Sequence, residues 1–556
     1  MTVLDRRDFL RGGAALGRTS LVGVNGLPWW QAPDLVIRGA TVFDGTGAPG
    51  LEADVSVVGD RIKTVGRIPE SGSLEIDLSG QALAPGFIDI HTHADRGLLD
   101  VPEAEHRVRQ GITLEVGGQC GGSPGPLSEG AARAARGRYA ERLGVEVDLR
   151  TLGGFFQALE QIPTSVNAAS MVGHGNVRGL VVGDEDRPAT AQELERMKDL
   201  VREAMSQGAV GLSTGLEYTP SGFASKDELV ALAGVLRGTG YPYASHMRNE
   251  DDEVLAAVEE ALHVGRMAHV PVQVSHLKAQ GERNWWKAQV ILDLLQEVRA
   301  SGVDVHFDRY PYVAYSTGLS NLFPSWSRSG GSDAFLARLE DPELRAELEG
   351  YCRAKVAQLG SWDSVQISST ATEGNAWIRG RRLGEAARER GLDPFELVLT
   401  LLSQEGGSVG MIGFGMSVEN TERILSHPLG MICSDGSVYS PSSSGSPHPR
   451  SYGTFPRVLG HYVRERGIMP LEVAIHKMTG LPARKIQLED RGVIRPGAFA
   501  DLVGFDPAAV EDTASFSDPR RYPRGIGTVV VNGIVTVQDG EMTGDLGGRP
   551  IRGRTG

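Results

Sequence analysis

The stretch Pro85-Gly86-Phe87-Ile88-Asp89-Ile90-His91-Thr92-His93-Ala94-Asp95 constrains the fold more than any other. It reads as a short apolar β-strand that runs out into two histidines spaced i, i+2. Side chains two apart leave a strand on one face. Two imidazoles on one face, at the end of a buried strand, can grip a single divalent cation. A His-x-His pair also arises by chance or as a packed rim. Its meaning therefore depends on whether further ligand-type residues close further strands.

The middle of the chain supplies them. Short apolar strands at 87–90, 112–116, 168–172, 209–212, 241–245, 271–275, 303–307 and 431–433 alternate with helical stretches. Eight such strands close a parallel (β/α)8 barrel of the TIM type, although the same alternation would also build an open doubly wound sheet. The clearest helix starts at Thr190-Ala191-Gln192-Glu193, a capping box, after which Leu194, Met197, Val201 and Ala204 line one face. Another covers 251–263, with Val254, Leu255, Val258 and Leu262 facing inward. Residues from about 325 to 418 exceed any single loop and carry charged helical patterns. They are expected to form a lid subdomain inserted between strands seven and eight of a barrel spanning 85–484. Period-two strands recur at both ends of the chain, at 35–42, 53–58 and 62–65 and again at 500–505 and 528–535. Residues 33–84 and 485–545 should therefore meet as one small β-sandwich.

A barrel gathers its chemistry at the C-terminal ends of its strands. Strand one ends in His91 and His93, and Cys120 follows strand two in the loop Gly117-Gly118-Gln119-Cys120-Gly121-Gly122. Strand five ends Ser245-His246, strand six Ser275-His276-Leu277-Lys278, and strand eight Ser434-Asp435-Gly436. Packing alone does not readily place His, Cys, His and Asp at four strand ends beside an HxH pair. Zinc takes imidazole, thiolate and carboxylate, and a catalytic site leaves one position for water. A carboxylate outside the ligand set can then shuttle the proton from that water to a leaving group. Asp435 is the choice for that role; an Asp capping the following turn is the bland alternative. Cys352 and Cys433, on a helical pattern and inside a strand, read as structural. Three cysteines make no disulfide framework.

Composition excludes other classes. The net charge is -14, with no basic run, which argues against a nucleic-acid partner. No apolar run reaches the roughly 18 residues that span a bilayer. At the start, Asp5-Arg6-Arg7-Asp8-Phe9-Leu10-Arg11 resembles a twin-arginine export motif, with Asp5 where Ser is usual and Arg18 interrupting the apolar core. Residues 1–32 are read as an export signal to the periplasm; the location is cytoplasmic if that segment is inactive.

Taken together, residues of about 34–545 resemble the amidohydrolase superfamily. Within it, Gly117-Gly118-Gln119-Cys120-Gly121, Gly173-His174-Gly175-Asn176-Val177-Arg178, Leu212-Ser213-Thr214-Gly215-Leu216-Glu217-Tyr218, His246-Met247-Arg248-Asn249-Glu250, Ser434-Asp435-Gly436 and His448-Pro449-Arg450-Ser451-Tyr452-Gly453-Thr454-Phe455-Pro456 look like the N-acyl-D-amino-acid deacylases, or D-aminoacylases. The resemblance implies zinc held tightly by Cys120, His246 and His276, with a weaker second position near His91 and His93. It implies Asp435 as general acid/base, and Lys278, Tyr310 and Arg450 as the holders of the substrate's α-carboxylate. The reaction implied is hydrolysis of an N-acyl-D-amino acid by metal-activated water, giving a carboxylate and a D-amino acid; the D centre rests on resemblance alone.

Hydantoinase and dihydroorotase relatives use a carboxylated lysine on strand four. Here that strand reads Ala209-Val210-Gly211-Leu212-Ser213-Thr214, without Lys, and the cyclic-amide reading weakens. Dipeptides and N-acyl-D-glutamate stay open as substrates. A non-catalytic barrel would have lost ligands, and none is missing here. Tyr218, Phe223 and Leu319 are candidates for the wall around the substrate side chain, and fit plain loop packing equally well.

Overall fold

The computed structural model describes residues 31–554. The twin-arginine-like motif lies outside the described residues. Among them, no helix is long and apolar enough to cross a membrane.

Eight parallel strands form a barrel: Phe87–Asp89, Ile112–Gly117, Asn167–Ser170 continuing as Val172–Gly173, Leu212–Gly215, Tyr243–His246, Val272–Val274, Val305–Arg309 and Gly430–Ile432. We number them one to eight. Their ladders break at Met171 and between strands eight and one. Backbone hydrogen bonds bridge both breaks. Met171 N donates to Gly117 O at 3.0 Å, and Val172 N to Gly211 O at 2.9 Å. Asp435 N donates to His91 O at 2.8 Å, and His93 N to Gly436 O at 2.7 Å. The ring is closed, and the open-sheet alternative falls. Strands four, five and seven end one to three residues beyond the apolar runs that mark them in the sequence, because residues past those runs (Ser213, Thr214, His246, Asp308, Arg309) are polar and yet buried.

Helices cover the outside, each through an apolar stripe. The helix Ala191–Ser206 begins at the capping box: Thr190 Oγ1 accepts from Glu193 N at 3.3 Å and Glu193 Oε2 accepts from Thr190 N at 2.7 Å. Met197, Val201 and Ala204 bury against the barrel, while Leu194 stays partly exposed. The helix Val254–Ala268 starts later than the sequence suggests, after an Asn249–Asp251 turn. Leu471–Met478 packs on strands one and eight and carries a buried lysine. Lys477 donates to His427 O and pairs with no carboxylate among the described residues, and burial pulls its pKa down to about 7. Its unfolded pKa is the higher, so protonation favours the unfolded chain, and stability should rise as pH climbs from about 7 towards the ordinary lysine value. Lys477→Met should therefore stabilise more at pH 6 than at pH 9, by about 3 kcal/mol. Urea unfolding at both pH values measures this, and equal gains would refute it.

Strands from both ends of the chain merge into one nine-stranded sheet. Ala82–Pro85 lies at its centre, antiparallel to Leu502–Phe505 and parallel to Leu35–Val42. The sheet curls, so that edge residue Ile62 bonds the segment leading into Leu502–Phe505: Ile62 N donates to Ala498 O at 2.9 Å, and Gly497 N to Ile62 O at 2.8 Å. Leu35, Ile37, Val55, Val57, Leu502 and Val530 fill the space enclosed. Beyond it the chain returns to the barrel, where Gly548 N and Ile551 N donate to Thr164 O and Ala168 O.

Between strands seven and eight an antiparallel sheet, Ala314–Gly318, Val409–Phe414 and Val365–Thr370, packs with helices that include Pro342–Leu359 and Pro394–Gln404 around a separate core. This subdomain begins near residue 314 rather than 325, because Ala314–Gly318, too short and polar to register as a strand, pairs with Val409–Phe414.

Candidate active site

The C-terminal ends of the barrel strands and the inserted sheet enclose a cavity of about 240 Å³. His93, Cys120, Tyr218, His246, His276, Lys278, Asp435 and Arg450 are on its wall. His91 and Tyr310 lie behind it, fully buried.

Cys120 Sγ is 3.3 Å from His91 Nε2 and 3.4 Å from His276 Nε2. Three groups of donor atoms are close enough to share an ion: His91, Cys120 and His276; His91, His93 and Asp435; and His246, Glu250 and His276. Burial pushes the Cys120 thiol up, but the imidazoles of His91, His276 and His246 outweigh it and hold the group well below its usual value, as a thiolate. The fit to a metal shows in His246, whose ring nitrogens are both buried and find no hydrogen-bond partner among the described residues. It shows again in the outer nitrogens of the other rings. His91 Nδ1 faces Asp308 Oδ1 at 3.2 Å, the arrangement in which a carboxylate orients a ligating imidazole, and His276 Nδ1 lies 2.7 Å from Lys278 Nζ and 3.0 Å from Glu250 Oε1. Thiolate plus imidazoles is a donor set that suits zinc.

Three of these residues have left-handed backbone without being glycine: Cys120 at φ +51°, His276 at +35° and Asp435 at +50°. Such conformations cost about 1–3 kcal/mol each and persist where the surroundings impose them. Strain of this kind aims side chains inward from the loop tips.

Asp435 Oδ1 lies 3.1 Å from His93 Nε2, and Arg450 Nη1 donates to Asp435 Oδ2 at 2.6 Å. Burial raises the Asp435 pKa, but Arg450 and the histidines outweigh it, so the carboxylate is ionised. Lys278 Nζ donates to Glu250 Oε1 at 2.5 Å, and an ammonium has further donors for a ligand. Tyr310 stacks beneath these cations, with Arg450 at 4.8 Å and Lys278 at 5.9 Å from its ring centre and its buried hydroxyl unpartnered among the described residues. Tyr218 packs on His246, with ring centres 4.7 Å apart, and its hydroxyl meets Thr317 Oγ1 at 3.2 Å.

Of the other wall candidates, Leu319 belongs to the core of the inserted subdomain and Phe223 does not line the cavity. The inserted subdomain instead contributes Tyr315, Thr317, Asn321, Leu322, Lys355 and Met411. Sequence reasoning also missed Glu217, Glu250 and Asp308. The available signal for Asp308 was an acid directly after the run that marks strand seven, in Val305-His306-Phe307-Asp308-Arg309. Cys352 is buried in the inserted core; Cys433 is buried beside the site, its thiol donating to Asp308 Oδ1 at 3.2 Å.

Comparison with known proteins agrees with this geometry. A model of the amidohydrolase family matches residues 74–537. The chain is 38% identical over 524 residues to the D-aminoacylase of Alcaligenes xylosoxydans xylosoxydans, covering 94% of this chain and 98% of that protein. It is 39% identical over 515 residues to the N-acyl-D-aspartate deacylase of the same organism, covering 92% and 93%. A solved D-aminoacylase superposes with a TM-score of 0.79 at 38% identity, covering 94% of this chain and 100% of that one. The N-acyl-D-glutamate deacylase of Bordetella bronchiseptica, solved with zinc and a phosphonate that mimics the tetrahedral intermediate, does so at 0.79 and 34%, with the same coverage. The chain therefore belongs to the amidohydrolase family, among the D-aminoacylases and N-acyl-D-amino-acid deacylases.

Proposed function

We propose that this protein is a zinc-dependent deacylase that hydrolyses the amide bond of N-acyl-D-amino acids. One observation carries the reading: the thiolate of Cys120 and its imidazole neighbours share a small cavity with an ionised carboxylate, Asp435, and two buried cations, Lys278 and Arg450. Cys120, His246 and His276 would hold the tight metal, and His91 and His93 a weaker second one. A bound divalent cation would polarise the scissile carbonyl and lower the pKa of bound water.

The chain's own residues do the rest. Asp435 accepts the proton of the attacking water and delivers it to the departing nitrogen. Arg450 and Lys278 pair with the substrate's α-carboxylate, and Tyr310 supports them from beneath. On the cavity wall Lys278, Lys355 and Arg450 stand against Glu217, Glu250 and Asp435. Counting the Cys120 thiolate and a divalent cation leaves one positive charge uncancelled, which suits a ligand with a single carboxylate. Three curated relatives, named for D-aminoacylase, N-acyl-D-aspartate and N-acyl-D-glutamate deacylase activity, support the stereochemistry. We extend the proposal to export through the twin-arginine-like segment.

Zinc-loaded protein incubated with racemic N-acetylmethionine, with products resolved on a chiral column, should release D-methionine alone. Release of neither enantiomer would discard the acylamino-acid substrate and leave dipeptides and cyclic amides to be tried.

A further inference from the structure

The mechanism leaves one prominent motif unused, Gly173-His174-Gly175-Asn176-Val177-Arg178 at the end of strand three. Its side chains form a buried relay. His174 Nδ1 meets Ser221 Oγ at 2.9 Å, His174 Nε2 meets Glu228 Oε1 at 3.0 Å, and Arg178 Nη1 donates to Glu228 Oε2 at 2.5 Å. His174 and Arg178 together hold the Glu228 carboxyl below its ordinary value, so Nε2 of the imidazole donates to it, and Nδ1 shares a hydrogen bond with the Ser221 hydroxyl. Hydroxyl, imidazole and carboxylate in line resemble a nucleophile triad, but Ser221 is buried and absent from the cavity wall. The hydroxyl has another neighbour, the loop that carries Cys120.

That loop is clamped on the same motif. Gly175 N donates to Gly121 O at 2.8 Å. Ser123 N donates to Asn176 Oδ1 at 3.0 Å, and Asn176 Nδ2 donates back to Ser123 O and Pro126 O, both at 3.0 Å. The approach is too close for side chains. A Cβ on Gly215 would sit 2.1 Å from Cys120 O, and one on Gly175 would sit 2.7 Å from Gly121 O. Ser221 Oγ lies 3.0 Å from the place a Cβ on Gly121 would take, directly beneath the residue that follows Cys120. Cys120 itself has the left-handed backbone described above, so something must hold it there.

We propose that the His174–Ser221–Glu228–Arg178 relay, with Asn176, is a positioning assembly for the metal-binding thiolate. It presses the Gly121 backbone into place and so keeps Cys120 Sγ between His91 and His276. None of its members touches substrate. The proposal rests on Cys120 being a metal ligand.

Cobalt-substituted protein tests both. The readouts are the near-ultraviolet thiolate-to-cobalt charge-transfer band and the metal affinity measured by chelator competition. Ser221→Ala should weaken the band and lower metal affinity about 10–100-fold, as loss of an outer partner does elsewhere, with wild-type circular dichroism. Ser221→Thr, which keeps the hydroxyl, should restore part of the affinity. A folded Ser221→Ala protein with the wild-type band and affinity would overturn the proposal. Should that variant not fold, Asn176→Asp, at a partly exposed position, takes its place with the same expected losses, and a wild-type band and affinity there would overturn the proposal equally. Cys120→Ala separates the two readings. If it retains the band, or the wild type has none, the thiolate ligand itself is refuted, whatever the relay does.

Discussion

Replacing Asp435 with asparagine is expected to lower kcat by about 10²–10⁴-fold, the range general acid–base catalysis contributes, while the metal held at Cys120, His246 and His276 stays. The reasoning is geometric. Asparagine matches aspartate in shape, and its carbonyl oxygen can still accept from Arg450, which now donates to Asp435 Oδ2 at 2.6 Å. It cannot take a proton from water. The strained backbone at φ +50° tolerates asparagine better than most residues, so the loop should keep its form. Metal content by mass spectrometry and turnover of N-acetyl-D-methionine should therefore part company: unchanged metal at the tight site, and turnover nearly abolished. Wild-type-like rates would remove Asp435 from the mechanism.

The second large effect is on stability. Arg107 is fully buried and bonds Asp89, Glu115 and Ser434 together: its Nε donates to Glu115 Oε1 at 2.6 Å and its Nη2 to Ser434 Oγ at 2.8 Å, with a further ion pair to Asp89. Asp89 Oδ1 in turn accepts from Ser434 N at 2.9 Å, across the seam between strands one and eight. Arg107→Met would leave two buried carboxylates without their cation. Breaking a buried pair from one side costs about 3–5 kcal/mol. The loss should be visible as a lower urea midpoint at unchanged slope. It should shrink when Asp89→Asn and Glu115→Gln are added, because the stranded charges are then gone. A loss below about 1 kcal/mol would place the network among exposed-type ion pairs and refute its role at the seam. Ser434 precedes Asp435, so the same variant should also lower activity in the molecules that remain folded.

Much of this protein is legible in residue spacing and residue chemistry. Periodicity located the strands and the capped helix at Ala191–Ser206, since burying an apolar stripe or strand is a local requirement written in residue spacing. Residue chemistry at strand ends picked out His91, His93, Cys120, His246, His276 and Asp435, because a closed parallel barrel brings all its C-terminal ends to one face. The residues that tertiary structure alone decided are of another kind. Asp308, Glu250 and Glu217 come to the site through partners remote in sequence: Asp308 faces His91 from strand seven, and Glu250 joins His276 and Lys278. Polar strand ends also misplaced the limits of strands four, five and seven, since hydropathy reads a buried Asp or His as exposed. The cavity wall from the inserted subdomain, Tyr315 and Lys355 among it, depends on how a separate core docks over the barrel mouth. The pairing of Arg450 with Asp435, fifteen residues away along the chain, is set by the path of the loop between strand eight and the helix Arg450–Arg457. Sequence spacing specifies which faces must be buried, but which polar groups meet inside follows from backbone paths such as the left-handed turns at Cys120, His276 and Asp435, which only the assembled barrel imposes.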